Sequence, residues 1–272
     1  MNRVLCSTGA CIGRPNGRDF RLLEQCVERL DCDGFEFMMY ESWYGQVEEI
    51  ISFLNNLNTS FPTFHVEKSV GNLISRNNDG DAAQSLEYFK INCDMAKRIG
   101  SELLVLHLWG GIDSDKNISF NIEKYVDLKK ISDEYGLELT IENVVCNTKD
   151  PFTHLKALNT AYGDVSFTFD TKMAEFHNQL DLIYAPENGE IFKKIKHIHV
   201  NDYNGGYMDW GNLKTLHVGE GSVDFERFFG FLRANSYSGD FTVEATSFGQ
   251  DGIIDFDSLN RTFSKIRVFV SK

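Results

Sequence analysis

The sequence repeats one structural unit eight times. Each unit has a short run rich in Val, Ile, Phe and Thr, then a polar turn, then a longer amphipathic segment. Strands are predicted at residues 3–9, 34–40, 61–67, 102–109, 137–143, 165–171, 195–202 and 240–246. Helices are predicted at residues 19–30, 45–57, 82–98, 120–135, 151–162, 187–194, 224–235 and 257–270. Such alternation requires parallel strands joined by right-handed crossovers.

Eight strand-helix units can close on themselves, so the expected fold class is α/β, a (β/α)8 or TIM barrel. An open doubly wound sheet is the alternative. It needs a glycine-rich phosphate loop after an early strand, and the segment 9–17 has neither GxGxxG nor the P-loop spacing. No low-complexity linker divides the 272 residues, which favours a single barrel domain over residues 1–272.

Local signals support the predicted helix boundaries. Asp150 precedes Pro151, which is the order expected for an N-cap followed by the first helical residue. Four glycines follow predicted helices and are expected to be left-handed C-caps: Gly34, Gly100, Gly136 and Gly163.

The composition narrows the class of protein. A formal net charge of -13 argues against binding to nucleic acid or to an anionic membrane surface. The six cysteines include no CxxC pair, which favours reduced thiols. Neither a signal-peptide core nor a membrane-spanning apolar run is evident, so a soluble cytoplasmic protein is expected.

Ionisable residues stand at the carboxyl ends of the predicted strands. In a barrel these ends form one rim, where active sites lie, and the ionisable side chains there can act as acids, bases or metal ligands. They are Glu36, His65, His107, Glu142, Asp170, His199 and Glu244.

Four of these residues belong to predicted strands five to eight: Glu142, Asp170, His199 and Glu244. Three carboxylates buried beside one imidazole require a compensating cation. Mixed oxygen and nitrogen donors suit one divalent metal ion, Mn²⁺, Mg²⁺, Co²⁺ or Zn²⁺. The alternative is that Lys172 or Lys196 pairs with the carboxylates separately.

Five motifs in this order resemble the xylose isomerase-like TIM-barrel superfamily, which includes sugar isomerases and epimerases, inosose dehydratases and endonuclease IV. They are TIEN at 140–143, FTFDT at 167–171, HIHVND at 197–202, HVGEGSVDF at 217–225 and TVEA at 242–245. The resemblance implies that Glu142, Asp170, His199 and Glu244 are metal ligands. It further implies that Glu142 and Glu244 exchange the substrate proton.

The sequence also departs from the endonuclease pattern. His65 and His107 match positions that hold a second metal in endonuclease IV and touch substrate hydroxyls in the sugar-converting branch. Met173 and Thr215 stand where the endonuclease has two ligands of a third metal, and only His217 remains there. A three-metal phosphodiesterase site is therefore not expected. Epimerases use a histidine at the position of Met173, which leaves the reaction open.

Further substrate contacts are predicted in the rim loops. Trp109 could stack on a sugar face, with an oligomer contact as its alternative use, so a homo-oligomer is compatible with the sequence. Lys172 is a candidate contact for an anion or a general acid. Asp202 directly follows a strand end and is assigned to ligand orientation and substrate binding, with loop capping as the alternative. His217 completes the predicted substrate contacts.

The leading functional hypothesis is a divalent-metal-dependent isomerase or epimerase of a small sugar or polyol carbonyl compound, with proton transfer through an enediolate. An inosose-type dehydratase is the alternative that uses adjacent chemistry. An endonuclease IV-like abasic-site phosphodiesterase and a sugar-binding barrel without activity are less favoured. The expected partner is a small carbohydrate or polyol, without nucleic acid or membrane.

We predict that the protein neither binds nor nicks abasic DNA at physiological salt. Its negative charge repels the phosphate backbone, and Met173 and Thr215 cannot act as the missing metal ligands. The measurement is incision of an abasic duplex by pure protein, with an intact duplex as control. Efficient incision that is lost in a Glu142→Gln variant would contradict the prediction.

Overall fold

Eight parallel strands form a closed barrel in the computed structural model, which describes residues 2–272. The order of the strands around the barrel follows their order in the chain, and the last strand pairs with the first. The strands are β1 (Val4–Ser7), β2 (Phe35–Met38), β3 (Thr63–His65), β4 (Leu103–Leu106), β5 (Glu138–Glu142), β6 (Ser166–Asp170), β7 (Ile195–His199) and β8 (Asp240–Val243). Each lies within its predicted run, and the predicted (β/α)8 TIM barrel is confirmed.

The helices surround the barrel: α1 (Leu23–Arg29), α2 (Val47–Asn55), α3 (Ser69–Ser75), α4 (Asp79–Arg98), α5 (Ile118–Glu134), α6 (Pro151–Tyr162), α7 (Thr171–Phe176), α8 (Gly189–Phe192), α9 (Phe225–Ala234) and α10 (Phe256–Ser271). The short helices α3 and α7 were not predicted, because each begins within a few residues of a strand end and is too short to show a periodicity. The predicted helix at 187–194 shrinks to α8, which follows a 3₁₀ turn.

Most of the local boundary signals behave as predicted. The Asp150 side chain accepts the Thr153 N–H at 2.8 Å at the start of α6, where Pro151 is the first helical residue. Gly100, Gly136 and Gly163 follow helices with φ of 81°, 67° and 70°. Gly34 differs. Its φ is 150°, and it lies at the entry to β2 rather than at the end of α1, so the expected C-cap there is wrong.

Alternation along the strands separates an apolar outer layer from a polar barrel interior. In β2, Phe37 packs outward with its ring centroid 5.6 Å from that of Trp43, and Phe35 lies 6.0 Å from Phe61. Glu36, between the two phenylalanines, contacts residues of β7 across the barrel. Period-two alternation therefore places a buried carboxylate inside the barrel and aromatic rings between strands and helices.

Hydrogen bonds replace much of the branched apolar filling that is usual inside such barrels. The hydroxyls of Thr140 and Thr168 lie 2.7 Å apart. His197 Nε2 lies 2.9 Å from the Thr242 hydroxyl. All four residues are buried, so each polar group needs such a partner. The interior is thus a hydrogen-bonded support beneath the carboxyl ends of the strands.

Two remaining expectations concern cysteines and membranes. All six cysteines are free thiols, and only Cys32 is partly exposed. Within residues 2–272, none of the helices has both the length and the apolar character that crossing a bilayer requires.

We predict that Gly71→Ala destabilises the protein by about 1–3 kcal/mol, because an added Cβ would overlap the backbone carbonyl oxygen of His107. Gly230→Ala is the matched control. Gly230 also lies within a helix, and the nearest atom to an added Cβ is the flexible Arg233 guanidinium at 3.8 Å. Removal of a helical glycine should stabilise this control variant by up to about 1 kcal/mol. Urea unfolding measures both effects. A Gly71→Ala variant as stable as the Gly230→Ala control would show that α3 can shift away from β4.

Candidate metal centre and active site

The ends of the last four strands bring together the residues that we call the rim cluster: Glu142, Asp170, His199 and Glu244. One candidate ligand atom from each of these residues lies within 4.8 Å of the others. The first three are the last residues of β5, β6 and β7, and Glu244 directly follows β8. The Glu244 side chain is 12% exposed, while the other three are almost fully buried. The structure therefore places the four predicted ligands side by side at the carboxyl end of the barrel.

His199 lies at the centre of the rim cluster. Its Nδ1 is 2.9 Å from Glu142 Oε1, 3.3 Å from Glu244 Oε2 and 4.0 Å from Asp170 Oδ2. Its Nε2 faces the opposite way, into the barrel, and lies 3.0 Å from Glu36 Oε2. One ring nitrogen thus faces the three carboxylates and the other faces the barrel interior.

The electrostatics of the rim cluster follow from burial and crowded negative charge. Burial alone would lower the pKa of His199, but Glu244, Glu36 and Glu142 raise it well above its usual value. Burial raises the pKa of Asp170 to about 6. In the absence of a cation, the His199 imidazolium is therefore the main charge that compensates the carboxylates.

The lysine alternative accounts for only part of this compensation. Lys172 is buried, and its Nζ lies 3.9 Å from Asp170 Oδ2 but 2.9 Å from the Thr215 hydroxyl. Lys196 is exposed, and its side chain forms no ion pair among the described residues. Separate lysine salt bridges therefore do not neutralise the three carboxylates.

The residues present fit a divalent cation. Glu142 Oε2 is buried, and His107 Nε2 lies 2.6 Å from it. The rim cluster offers three carboxylates and one imidazole, which is a donor set that Mn²⁺, Mg²⁺, Co²⁺ or Zn²⁺ accepts.

Two asparagines hold the rim cluster in place. The Asn143 side chain accepts the Asp170 N–H at 2.6 Å and donates to the Asp170 carbonyl at 3.0 Å. The Asn201 amide donates to Asp170 Oδ2 at 2.9 Å and Glu244 Oε2 at 3.1 Å, and its oxygen accepts the Glu244 N–H at 3.0 Å. The sequence placed Asn201 at the active-site end of its strand without a specific role, and its two-residue spacing from His199 continues the inward-facing alternation.

His65 and His107 lie on the other side of Glu142. With Glu142 they form a second group whose candidate ligand atoms are within 4.8 Å of one another. His65 Nδ1 lies 2.9 Å from the Val66 carbonyl, so its Nε2 faces Glu142 Oε2 at 3.7 Å. Burial lowers the pKa of His107 to about 4, which makes its imidazole neutral at physiological pH.

A cavity of about 380 Å³ opens beside His107. Lys68, Trp109, Met173 and Trp210 contribute to its lining. Trp109 is 1% exposed, and its indole N–H has no hydrogen-bond partner, whereas Trp210 is about half exposed. The predicted stacking residue is therefore a buried wall of the cavity, and Met173 makes part of the lining apolar.

Asp202 does not lie in the rim cluster, and its contacts are those of the loop-capping alternative. Its two carboxylate oxygens accept the backbone N–H groups of Gly219, Gly221 and Val223 at 2.9, 2.9 and 3.1 Å, and also that of Tyr203. These bonds occupy the carboxylate. They also tie the backbone of the loop at Gly219 to Val223 to the end of the strand, so Asp202 is a loop anchor.

His217 also has protein partners. Its Nδ1 lies 2.9 Å from the Thr262 hydroxyl of α10, and its Nε2 lies 3.2 Å from the Ser247 hydroxyl. Both ring nitrogens are therefore occupied by protein partners. His217 fastens its loop to the outer helix layer and leaves no nitrogen free for substrate.

Comparison with known proteins agrees with this architecture. The family model described as the xylose isomerase-like TIM barrel matches residues 25–266. The chain belongs to this family. An uncharacterized protein of Methanocaldococcus jannaschii is 26% identical to this chain over 148 residues, which are 53% of the chain. The chain spans 55% of that relative's length.

Several solved structures share the fold. L-ribulose 3-epimerase has a TM-score of 0.73 at 15% identity, covering 100% of this chain and 95% of that one. D-allulose 3-epimerase from Methylomonas sp., solved with D-allulose, has a TM-score of 0.70 at 14% identity, with 98% and 96% covered. The IOLI protein, solved with a zinc atom, has a TM-score of 0.69 at 16% identity, with 99% and 98% covered. At these identities the likeness shows a common barrel.

We predict that binding of Mn²⁺ or Zn²⁺ to the rim cluster releases a proton near neutral pH. The raised pKa of His199 keeps its ring protonated until a cation displaces the proton, so the apparent affinity should fall by about tenfold per pH unit as the pH decreases. A second proton competes below about pH 6, where Asp170 protonates.

Calorimetry in two buffers of different ionisation enthalpy measures the released proton. In the Asp170→Asn variant, binding should be weaker, and the additional loss below pH 6 should disappear. Heats that are independent of the buffer, with an affinity independent of pH, would contradict this account of the rim cluster.

Proposed function

We propose that this chain is a divalent-metal-dependent isomerase or epimerase of a small sugar or polyol carbonyl compound. The observation that carries the proposal is the pair Glu142 and Glu244. Both carboxylates lie within 3.3 Å of His199 Nδ1 in a buried cluster. Glu142 also contacts His107, which lines a cavity of about 380 Å³. The shared fold of sugar 3-epimerases supports the proposal.

The proposed chemistry is proton exchange at the carbon next to a carbonyl. When bound, a divalent cation would polarise the carbonyl and a neighbouring hydroxyl and so acidify the C–H bond of the carbon that carries the hydroxyl. One glutamate of the pair removes the proton, and the other returns one to the resulting enediolate. Because Glu142 comes from β5 and Glu244 follows β8, they approach the substrate from different strands of the barrel.

Neighbouring residues orient the substrate and exclude water. The neutral His107 imidazole can exchange hydrogen bonds with a hydroxyl but does not serve as a strong acid. Trp109 and Met173 supply apolar walls to the cavity. Lys172, held by Thr215, contributes a fixed positive charge beside Asp170. Asn143 and Asn201 keep the carboxylates of the rim cluster in position.

A second function has one observation in its favour. The group formed by His65, His107 and Glu142 could hold a second cation, as an endonuclease IV-like phosphodiesterase would need. The net charge of -13 opposes binding of a polyanionic duplex, and Met173 provides no oxygen or nitrogen ligand.

An inosose-type dehydratase would use the same proton abstraction as the isomerase or epimerase, with loss of water in place of reprotonation.

We expect Glu142→Gln and Glu244→Gln each to reduce turnover by at least about a hundredfold, because the amide retains a ligand oxygen but cannot act as a base. The assay uses a panel of ketoses, inososes and their phosphates in D₂O, with NMR detection of product and of deuterium at the carbon next to the carbonyl. Glu67→Gln is the matched control, since the buried Glu67 binds Ser69 at the start of α3 and is outside the rim cluster.

The assay separates the reaction classes. Product with incorporated deuterium supports isomerisation or epimerisation, and loss of water identifies the dehydratase. Conversion of a panel member without deuterium incorporation would exclude the enediolate route and indicate hydride shift. If both glutamine variants exchange deuterium as fast as the wild type, Glu142 and Glu244 are not the bases.

A further inference from the structure

Glu36 is a buried carboxylate for which the reaction proposed above has no use. It belongs to β2 and is 0% exposed. Its neighbours in sequence, Phe35 and Phe37, pack in the outer aromatic layer, so its side chain occupies the barrel interior beneath the rim cluster. Burial of a carboxylate at this depth is costly unless specific partners compensate it.

The partners of Glu36 are two histidines of β7. Glu36 Oε2 lies 3.0 Å from His199 Nε2 and 3.2 Å from His197 Nε2. His197 Nε2 also lies 2.9 Å from the Thr242 hydroxyl. The second oxygen, Glu36 Oε1, accepts no hydrogen bond. The carboxylate therefore contacts both imidazoles through a single oxygen, Oε2.

The contact with His199 determines which ring nitrogen is available to the rim cluster. A neutral imidazole carries one N–H, and the other nitrogen offers a lone pair. Because Glu36 accepts a hydrogen bond from Nε2, that proton is retained when a cation replaces the Nδ1 proton, and the Nδ1 lone pair then faces the cation beside Glu142 and Glu244. A negative charge behind the ring also strengthens Nδ1 as an electron donor.

We propose that Glu36 is a positioning residue that fixes the tautomer and orientation of His199 for cation binding, while His197 and Thr242 hold Glu36 in place. Filling of the barrel interior alone would be served by an apolar side chain, as is usual in such barrels. The inference rests on the proposed metal centre and does not depend on which sugar the protein converts.

The effect should appear in cation affinity. Loss of a carboxylate partner behind a ligating histidine typically weakens metal binding by 10–100-fold. The test titrates Zn²⁺ into the full-length wild type and the Glu36→Gln variant against a competing chelator at one pH. The amide keeps the volume and an acceptor oxygen but removes the charge. Glu67→Gln is the matched control, and its affinity should stay within about twofold of the wild type.

A spectroscopic measurement, made first on the wild type and then on the variant, separates positioning from general stability. In the Zn²⁺-loaded, ¹⁵N-labelled wild type, two-bond ¹H–¹⁵N correlations should show His199 protonated at Nε2, with its ring proton shifted downfield by the carboxylate. In folded Glu36→Gln protein this proton should move upfield. Circular dichroism during thermal unfolding establishes that the variant is folded.

Three outcomes would overturn the inference. One is a His199 ring protonated at Nδ1 in the loaded wild type, and another is a Glu36→Gln affinity within about threefold of the wild type with an unchanged Nε2 proton. A wild type that binds no cation would remove both this inference and the proposed function. Cation binding that depends on Glu36, in a protein that converts no panel sugar, would support the inference and contradict only the proposed function.

Discussion

Compensation of buried negative charge around one imidazole is the constraint on which the rest of the structure depends. His199 contacts Glu142 and Glu244 through Nδ1 and Glu36 through Nε2, and all of these side chains are largely or fully removed from water. Carboxylates held this close repel one another and lose their hydration. The group persists only because the closed barrel fixes the strand ends and a positive charge, proton or cation, lies among them.

The barrel interior is built to serve this arrangement. Thr140, Thr168 and Thr242 form hydrogen bonds below the rim cluster, where other barrels place branched apolar side chains. Hydrophobic stabilisation is carried instead by the outer layer, as between Phe37 and Trp43. The division lets the core stabilise the fold while the interior orients polar groups. Pre-organised groups of this kind are what proton-transfer chemistry requires.

The rim loops are fixed by buried anchors of their own. Asp115 accepts the N–H groups of Asn147, Thr148 and Lys149 at 2.8 to 2.9 Å, and its carboxylate also meets His154 Nε2 at 2.9 Å. Burial opposes this charge, but His154 and the backbone donors lower the pKa of Asp115. Asp202 likewise accepts backbone N–H groups, those of Gly219 and Gly221 in the loop before α9. Ionisable residues near an active site can therefore be structural, since loop backbone groups need acceptors.

The sequence by itself determined the barrel and the four members of the rim cluster. Period-two runs alternating with amphipathic helices leave few other topologies, and the strand ends of a parallel barrel must share one rim. These rules depend only on spacing along the chain. The same rule placed His65 and His107 on this rim, and the resemblance to endonuclease IV paired them with Glu142, which both contact in the structure.

Only the tertiary structure decided which polar residues serve the rim cluster and which serve loops. Asp202 and His217 resembled substrate contacts in sequence, but their hydrogen bonds go to Gly219 and Thr262. Asn201 received no specific role from the sequence, yet it bridges Asp170 and Glu244. Glu36 is distant from His199 in sequence and meets it only across the closed barrel. A side chain's role depends on the partners within hydrogen-bonding distance, and barrel closure sets those distances.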